Sequence, residues 1–350
     1  MSRSEFRVPS SEWRNNPKRR TRDTKLVRGS LLIITLWMIA ILSVMAVAIG
    51  RSLSLHIQVM KYHLAQEQVA ALARGGVYLA LERLRQDQDE DTKQNEPVDS
   101  LGEAWATPGS TSQSDGPWWE VPWTPDGTAE TEPAGKIKIR IIDAERKLNL
   151  NAANNPNLQQ QLQSPLLDIP PDVAEDIVNY QKPPPAGAPP DDLPKGRPIA
   201  VMEELLELSP VKMELFETLE QFSFPFSSEA NVKVNINTAD QEALVAAGLL
   251  SNPAQEGVTS ADAKALTDLR PNNYLTSVSP KPADKNGGAP ASLDFMSRPP
   301  FSSVASRFGV KSDTFIVTTT ASLKTPRVQH HVEAVFQRAP QTKIISWKEY

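Results

Sequence analysis

The chain has 350 residues, enough for two compact lobes, but only 6% are aromatic and 30 are proline, so a good part of it is linker or loop. The formal charge of −5 is uneven: residues 1 to 29 hold nine Lys or Arg against three Asp or Glu, a balance of +6 that leaves −11 on the remainder. A net acidic body argues against a general nucleic-acid binder, and the absence of cysteine excludes disulfides, thiol catalysis and cysteine-ligated zinc.

Ser30 to Gly50 is 21 residues without a charge. At about 1.5 Å per residue a helix of that length spans roughly 31 Å, one bilayer core. It is longer than a signal-peptide apolar region and lacks a clean small-residue cleavage site at its far end, which favours retention. Arg19, Arg20, Arg22, Lys25 and Arg28 precede it, whereas Arg51 and Lys61 are the only cations for some distance after it. The bias toward positive charge inside predicts a cytoplasmic N-terminus and an external body. Ile57, Met60, Leu64, Leu72, Gly76 and Leu79 then recur at helical steps, so the helix is predicted to continue to residue 86, with Gly75 and Gly76 as a weak point or a place of close backbone approach.

Residues 87–135 read as an irregular connection, with Trp118, Trp119 and Trp123 folded back onto a lobe rather than forming a ligand platform. The acidic run Asp87 to Asp91 lacks the spacing of a calcium loop and reads as a solvated helix end. Ile137, Ile139 and Ile141 alternate with cations, a half-buried strand, followed by a turn at Asp143 to Arg146 and a second short strand over Leu148 and Leu150. Helical segments follow: "PPDVAEDIVNYQ", "AVMEELLEL", "KMELFETLEQF", "TADQEALVAAGLL" and "TSADAKALTDL". Far downstream, "TFIVTTTASLKTPRVQHHVEAVFQR" supplies two more strands with a turn near Lys324 to Arg327. The predicted fold class is α+β: a long N-terminal helix on an antiparallel sheet, with a helical domain inserted between strands.

Phosphate loops, dinucleotide motifs, nucleophile elbows and zinc-protease motifs are all absent, and no nucleophile and base pair up, so an anchored hydrolase has no support. His56 and His63 sit on the long helix, and His330 and His331 fall on opposite strand faces, which disfavours one shared metal. "KVNINTADQEAL" resembles the opening of a helix-hairpin-helix unit with Thr238 as helix cap, but the hairpin holds a single Gly248 where DNA-binding examples read G-I-G.

In this order, "RGSLLIITLWMIAILSVMAVAIGRSL", "AQEQVAALARGGVYLALERL", "IIDAERKLNLNAA", "VNINTADQEAL" and "IISWKEY" resemble the minor pseudopilin K family of type II secretion, also called general secretion pathway protein K. The resemblance covers nearly the whole chain. It implies a basic leader at 1–29, cut by prepilin peptidase between Gly29 and Ser30, with Ser30 the methylated new terminus. It further implies a membrane helix at 30–50, a continuation at 51–86, the irregular connection at 87–135 and the first sheet strands at 136–151. An inserted helical domain at 152–305, with a helix-hairpin-helix-like part at 233–270, and final strands at 306–350 complete the layout.

Most pilin-like chains carry glutamate as the fifth mature residue, and this one has Ile34, the departure that marks a subunit at the filament tip. The implied role is not enzymatic. It is assembly at the tip of a pseudopilus on the inner membrane, with minor pseudopilins of types I and J, the major pseudopilin and prepilin peptidase as partners and no nucleic acid. Some relatives bind Ca2+ near an Asp-rich stretch; the matching place here is "NYQKPPPAGAPPDDL", with Asp191 and Asp192 as the metal candidates. The alternative reading is a membrane-anchored, helix-hairpin-helix DNA-binding protein of competence type.

Overall fold

The computed structural model describes residues 27–94, 98–106, 118–125, 127, 132–151, 155–183, 195–226, 233–250, 257–270, 274–275, 299–338 and 342–350. It falls into two compact units, Met1–Lys61 and Tyr62–Tyr350. In the first, the described residues are the opening of helix α1 (Val27–Gln94), and every side chain from Leu31 to Lys61 is exposed.

In the second unit α1 turns from an exposed rod into a packed element. Ala65, Val69, Ala73, Val77 and Ala80 recur every three or four residues and are buried on the sheet against Ile137, Ile139, Val317, Ala321, Val332 and Phe336. Alanine along this stripe lets helix and sheet approach closely. At Gly76 a Cβ would lie 2.8 Å from Ile137 Cγ2 and 3.2 Å from Thr319 Cγ2, so only glycine fits without displacement. Gly75, its neighbour, meets nothing within 4 Å.

The sheet has five antiparallel strands in the order β1 (Trp119–Trp123), β2 (Gly135–Asp143), β7 (Thr314–Leu323), β8 (Val328–Gln337) and β9 (Lys343–Glu349). Strand β1 differs from the expectation of an irregular connection over 87–135. Trp119, Val121 and Trp123 alternate inward onto the core under α1, and Pro122, which cannot donate to a ladder, is tolerated because β1 is an edge. Helix α1 likewise runs to Gln94 rather than stopping at 86, and Asp87 is buried rather than solvated.

Everything from Lys147 to Asp313 lies between β2 and β7, which are neighbours in the sheet. This insert carries β3 (Leu148–Asn149), α2 (Leu158–Leu162), α3 (Pro171–Tyr180), α4 (Met213–Phe222), β4 (Ser223–Phe224), β5 (Val234–Asn235), α5 (Gln241–Ala247), α6 (Ser260–Leu269), α7 (Phe301–Val304) and β6 (Phe308–Gly309). Strand β3 was expected in the main sheet and instead pairs in parallel with β4, while β5 pairs in parallel with β6. These two clips close the lobe on itself. Its core holds Leu148, Leu158, Leu162, Ile177, Leu205, Ile236, Leu244 and Phe308, among others, all at most 1% exposed. "MEELLE" over Met202–Glu207 is a 3-10 turn, not an α-helix. A second apolar patch, Phe226 with Ala144, Ile316 and Val335, rests the lobe on the face of the sheet opposite α1.

Candidate functional site

Two features stand out: the exposed opening of α1, and a buried polar junction where the insert, the sheet and the end of α1 meet. Gly29 and Ser30 lie in the first turn of α1, and Ile34 follows one turn later with its side chain 56% exposed. From Leu31 to Ile49 the large side chains Leu32, Ile33, Leu36, Trp37, Ile39, Ile41, Leu42 and Met45 are all exposed. The two hydroxyls in this stretch are satisfied within the helix: Thr35 Oγ1 donates to Leu32 O at 2.9 Å and Ser43 Oγ to Ile39 O at 2.7 Å. The rod therefore presents hydrocarbon with no unsatisfied polar side chain, a surface suited to lipid or other helices rather than water. Among the described residues it is the one helix long and apolar enough to cross a membrane.

The junction is organised by Arg338, just beyond β8 and 4% exposed. Its Nη1 donates to Asp87 Oδ2 on α1 at 3.1 Å, and its Nη2 to Asp99 Oδ1 and Oδ2 at 2.7 and 2.6 Å and to Ser312 O at 2.7 Å. Asp99, fully buried, also accepts from Ser312 N. A second buried carboxylate, Asp143 at the end of β2, accepts at Oδ1 from Glu145 N and at Oδ2 from Asn235 Nδ2, Thr238 Oγ1 and Ser312 Oγ. Asn235 and Thr238 belong to the insert, so these bonds tie the lobe to the sheet. Glu145 reaches across to accept from Asp313 N and Thr314 N at the start of β7.

Carboxyls outnumber cations in this junction. Burial, and then Asp143, push Glu145 up to about 8; burial pushes Asp143 up to about 6 against the pull of its donors. Burial also raises Asp87, Asp99 and Glu103. Asp87, Asp99 and Glu103 each offer a carboxylate oxygen within 4.8 Å of the others and could hold a cation. Each of the three carboxylates already has a partner, however: Arg338 takes Asp87 and Asp99, while Ser100 and Trp105 donate to Glu103.

Gly29, Ser30 and Ile34 thus share one helix end, whereas Asp191 and Asp192 lie outside the described residues. Thr238 is not the cap of α5; Asp240 occupies that position and Thr238 is spent on Asp143. His330 meets Glu349 and His331 meets Thr320, on opposite faces of β8 as the alternation requires. The residues that sequence reasoning missed are those of the junction, Asp99, Asp143, Asn235, Ser312 and Arg338.

Neither a family model nor a curated protein matches the chain. Among solved structures, a chain of the GspK–GspI–GspJ complex of the type 2 secretion system from enterotoxigenic Escherichia coli superposes with a TM-score of 0.54 at 15% identity, over 83% of this chain and 99% of that one. The fold is pseudopilin-like. At that identity the likeness is one of fold alone; in this chain that fold joins a long apolar N-terminal helix, an antiparallel sheet and further helices.

Proposed function

We propose that this protein is a non-enzymatic minor pseudopilin of K type, standing at the tip of a type II secretion pseudopilus and priming or capping it together with minor pseudopilins of types I and J. The observation that carries the reading is α1: an uninterrupted exposed apolar rod that opens a chain of pseudopilin-like fold. Such a surface needs a bilayer before assembly and neighbouring helices after it.

Ile34 supports the tip position on physical grounds. A carboxylate within the bilayer costs a few kcal/mol, which a filament subunit recovers by neutralising a neighbour's terminal amine. A subunit with no neighbour above it gains nothing from that charge, so an apolar residue is favoured. The insert between β2 and β7 supports the same role, because a lobe of this bulk obstructs the place of a further subunit. In this reading residues 1–29 face the cytoplasm, Ser30 to Gly50 span the inner membrane and the body is periplasmic.

Co-expression with prepilin peptidase tests the reading. The product is expected to begin at Ser30, and Gly29→Ala to retain the leader and abolish secretion. A wild-type chain left uncut by an active peptidase, or a Gly29→Ala chain that still supports secretion, would contradict it.

A further inference from the structure

Strand β9 is the last of the sheet, and among the described residues no strand pairs with its outer side. Tyr350 and His331 exchange both backbone bonds: Tyr350 N donates to His331 O at 2.9 Å and His331 N to Tyr350 O at 3.2 Å. Such pairs alternate along an antiparallel ladder, so Lys348 and Ser346 also turn their backbone groups toward β8, while those of Glu349 and Trp347 point outward. Ile345 is the extra residue of a bulge, which confines the regular edge to residues 346–350. Ile344 and Ile345 beside it are each 44% exposed, so the edge is apolar as well as open. From this edge a cleft of about 290 Å³ extends between the insert and the face of the sheet opposite α1, reaching from Ser346 and Lys348 on β9 to Ile142 on β2. Its lining is apolar at Ile316, Val335, Met202, Phe224 and Pro225. Its charges do not balance. Glu217, Glu220 and Glu333 line it without an ion pair among the described residues, Lys348 is paired with Glu203, and Lys147 donates to Glu220 O at 2.6 Å. Four carboxylates against two ammonium groups leave the cleft a net charge of −2.

Open edge and acidic cleft together select one kind of occupant. A strand added outside β9 runs about 4.8 Å from it and sends alternate side chains to the two faces of the sheet. Opposite Ser346, the small residue at the mouth of the cleft, a long side chain of that strand can cross β9 with its stem along the apolar lining and its head among the carboxylates. A basic head meets the excess negative charge there, and an acidic one is repelled. We propose that the outer edge of β9 is a strand-addition site for an extended segment of another protein chain, in which a lysine or arginine flanked by aliphatic residues enters the cleft over Ser346. The outward N–H and C=O groups of Trp347 and Glu349 hold the backbone of that segment, and the cleft selects its basic residue. The site does not depend on a place at the filament tip, so the failure of either reading leaves the other intact.

Fluorescence anisotropy of the full chain in non-ionic detergent, with a labelled decapeptide of alternating valine and lysine as the probe, tests it. Saturable binding is expected, about tenfold or more tighter than that of the matching valine–glutamate peptide. Glu349→Pro removes an outward N–H and no ladder bond, and is expected to bind the probe about fivefold more weakly than Glu349→Ala, the loss of one hydrogen bond. Glu333→Gln leaves the backbone untouched and serves if the proline variant does not fold; it is expected to weaken binding about threefold, as fits one part-exposed charge pair. Absence of saturable binding, equal affinity for the two peptides, equal binding by the proline and alanine variants, or a Glu333→Gln chain that binds as the wild type does would overturn the proposal. So would sedimentation showing a dimer of this chain that Glu349→Pro dissociates, since a second copy would then hold the edge.

Discussion

Arg338→Met removes the cation that joins Asp87 and Asp99 while keeping much of the side-chain volume. Asp99 is fully buried and receives two bonds from Nη2, so it is left with Ser312 N and only the more distant charge of Lys311. Breaking such a pair on one side costs roughly 3–5 kcal/mol. An independent bound comes from protonation, the cheapest escape open to the stranded carboxylate. Neutralising a group of ordinary pKa about 3.9 costs about 4 kcal/mol at pH 7 and about 2 kcal/mol at pH 5.5, at roughly 1.4 kcal/mol per unit. Because burial already raises Asp99 in the folded wild type, protonation sets a ceiling rather than the value, and it adds a signature: the variant's deficit should shrink between neutral and mildly acidic pH. Urea unfolding of the full chain in detergent, followed by tryptophan fluorescence at both pH values, reads this directly through Trp105, which packs on Phe315 at the junction. A deficit below about 1 kcal/mol at pH 7, or one that does not shrink at pH 5.5, would refute the assignment of Arg338 as the buried counter-ion.

The wild type should itself be more stable at pH 5.5 than at pH 8.5. Glu145 has its folded pKa raised to about 8 by burial and by Asp143, so the folded chain binds more protons than the unfolded one; the stabilisation is complete at acidic pH and is lost as pH rises through about 8, and a melting temperature that climbs over this range would contradict it. At the α1–sheet contact, Gly76→Val is expected to destabilise by about 1–3 kcal/mol or more through its contacts with Ile137 and Thr319, whereas Gly75→Ala, in open space, should stabilise by up to about 1 kcal/mol; equal effects at the two positions in denaturant melts would rule out the packing described. Thr238→Val should cost about 1–3 kcal/mol by leaving Asp143 one donor short, with amide exchange accelerated at the junction between insert and sheet, and a neutral outcome would return Thr238 to a merely local role.

The elements that could be read from residues were those with local physical signatures. The uncharged run after Gly29, the alternation of Ile137, Ile139 and Ile141, and the turn at Lys324 to Arg327 each announce a backbone state through their own spacing. Thr259 and Asp262 form a reciprocal cap at the start of α6, a signal contained within four residues. Strand β1 was hidden because Pro122 resembles a breaker until its edge position is known. The junction was hidden for a different reason. Arg338 and Asp99 are 239 positions apart, and Asn235 and Asp143 are 92 apart, so no periodicity relates them and only the folded sheet brings them together. The acidic run beginning at Asp87 looked solvated because nothing in it names the arginine that buries its first member.

The proposed role places one subunit at one end of the filament. Immunogold labelling of the body of this protein on pseudopili assembled with its co-expressed partners reads that directly. The account predicts a single label at one tip of each filament, with labelled tips lost in Gly29→Ala. Labels spaced along the shaft, or filaments that assemble normally and carry no label at either end, would contradict it.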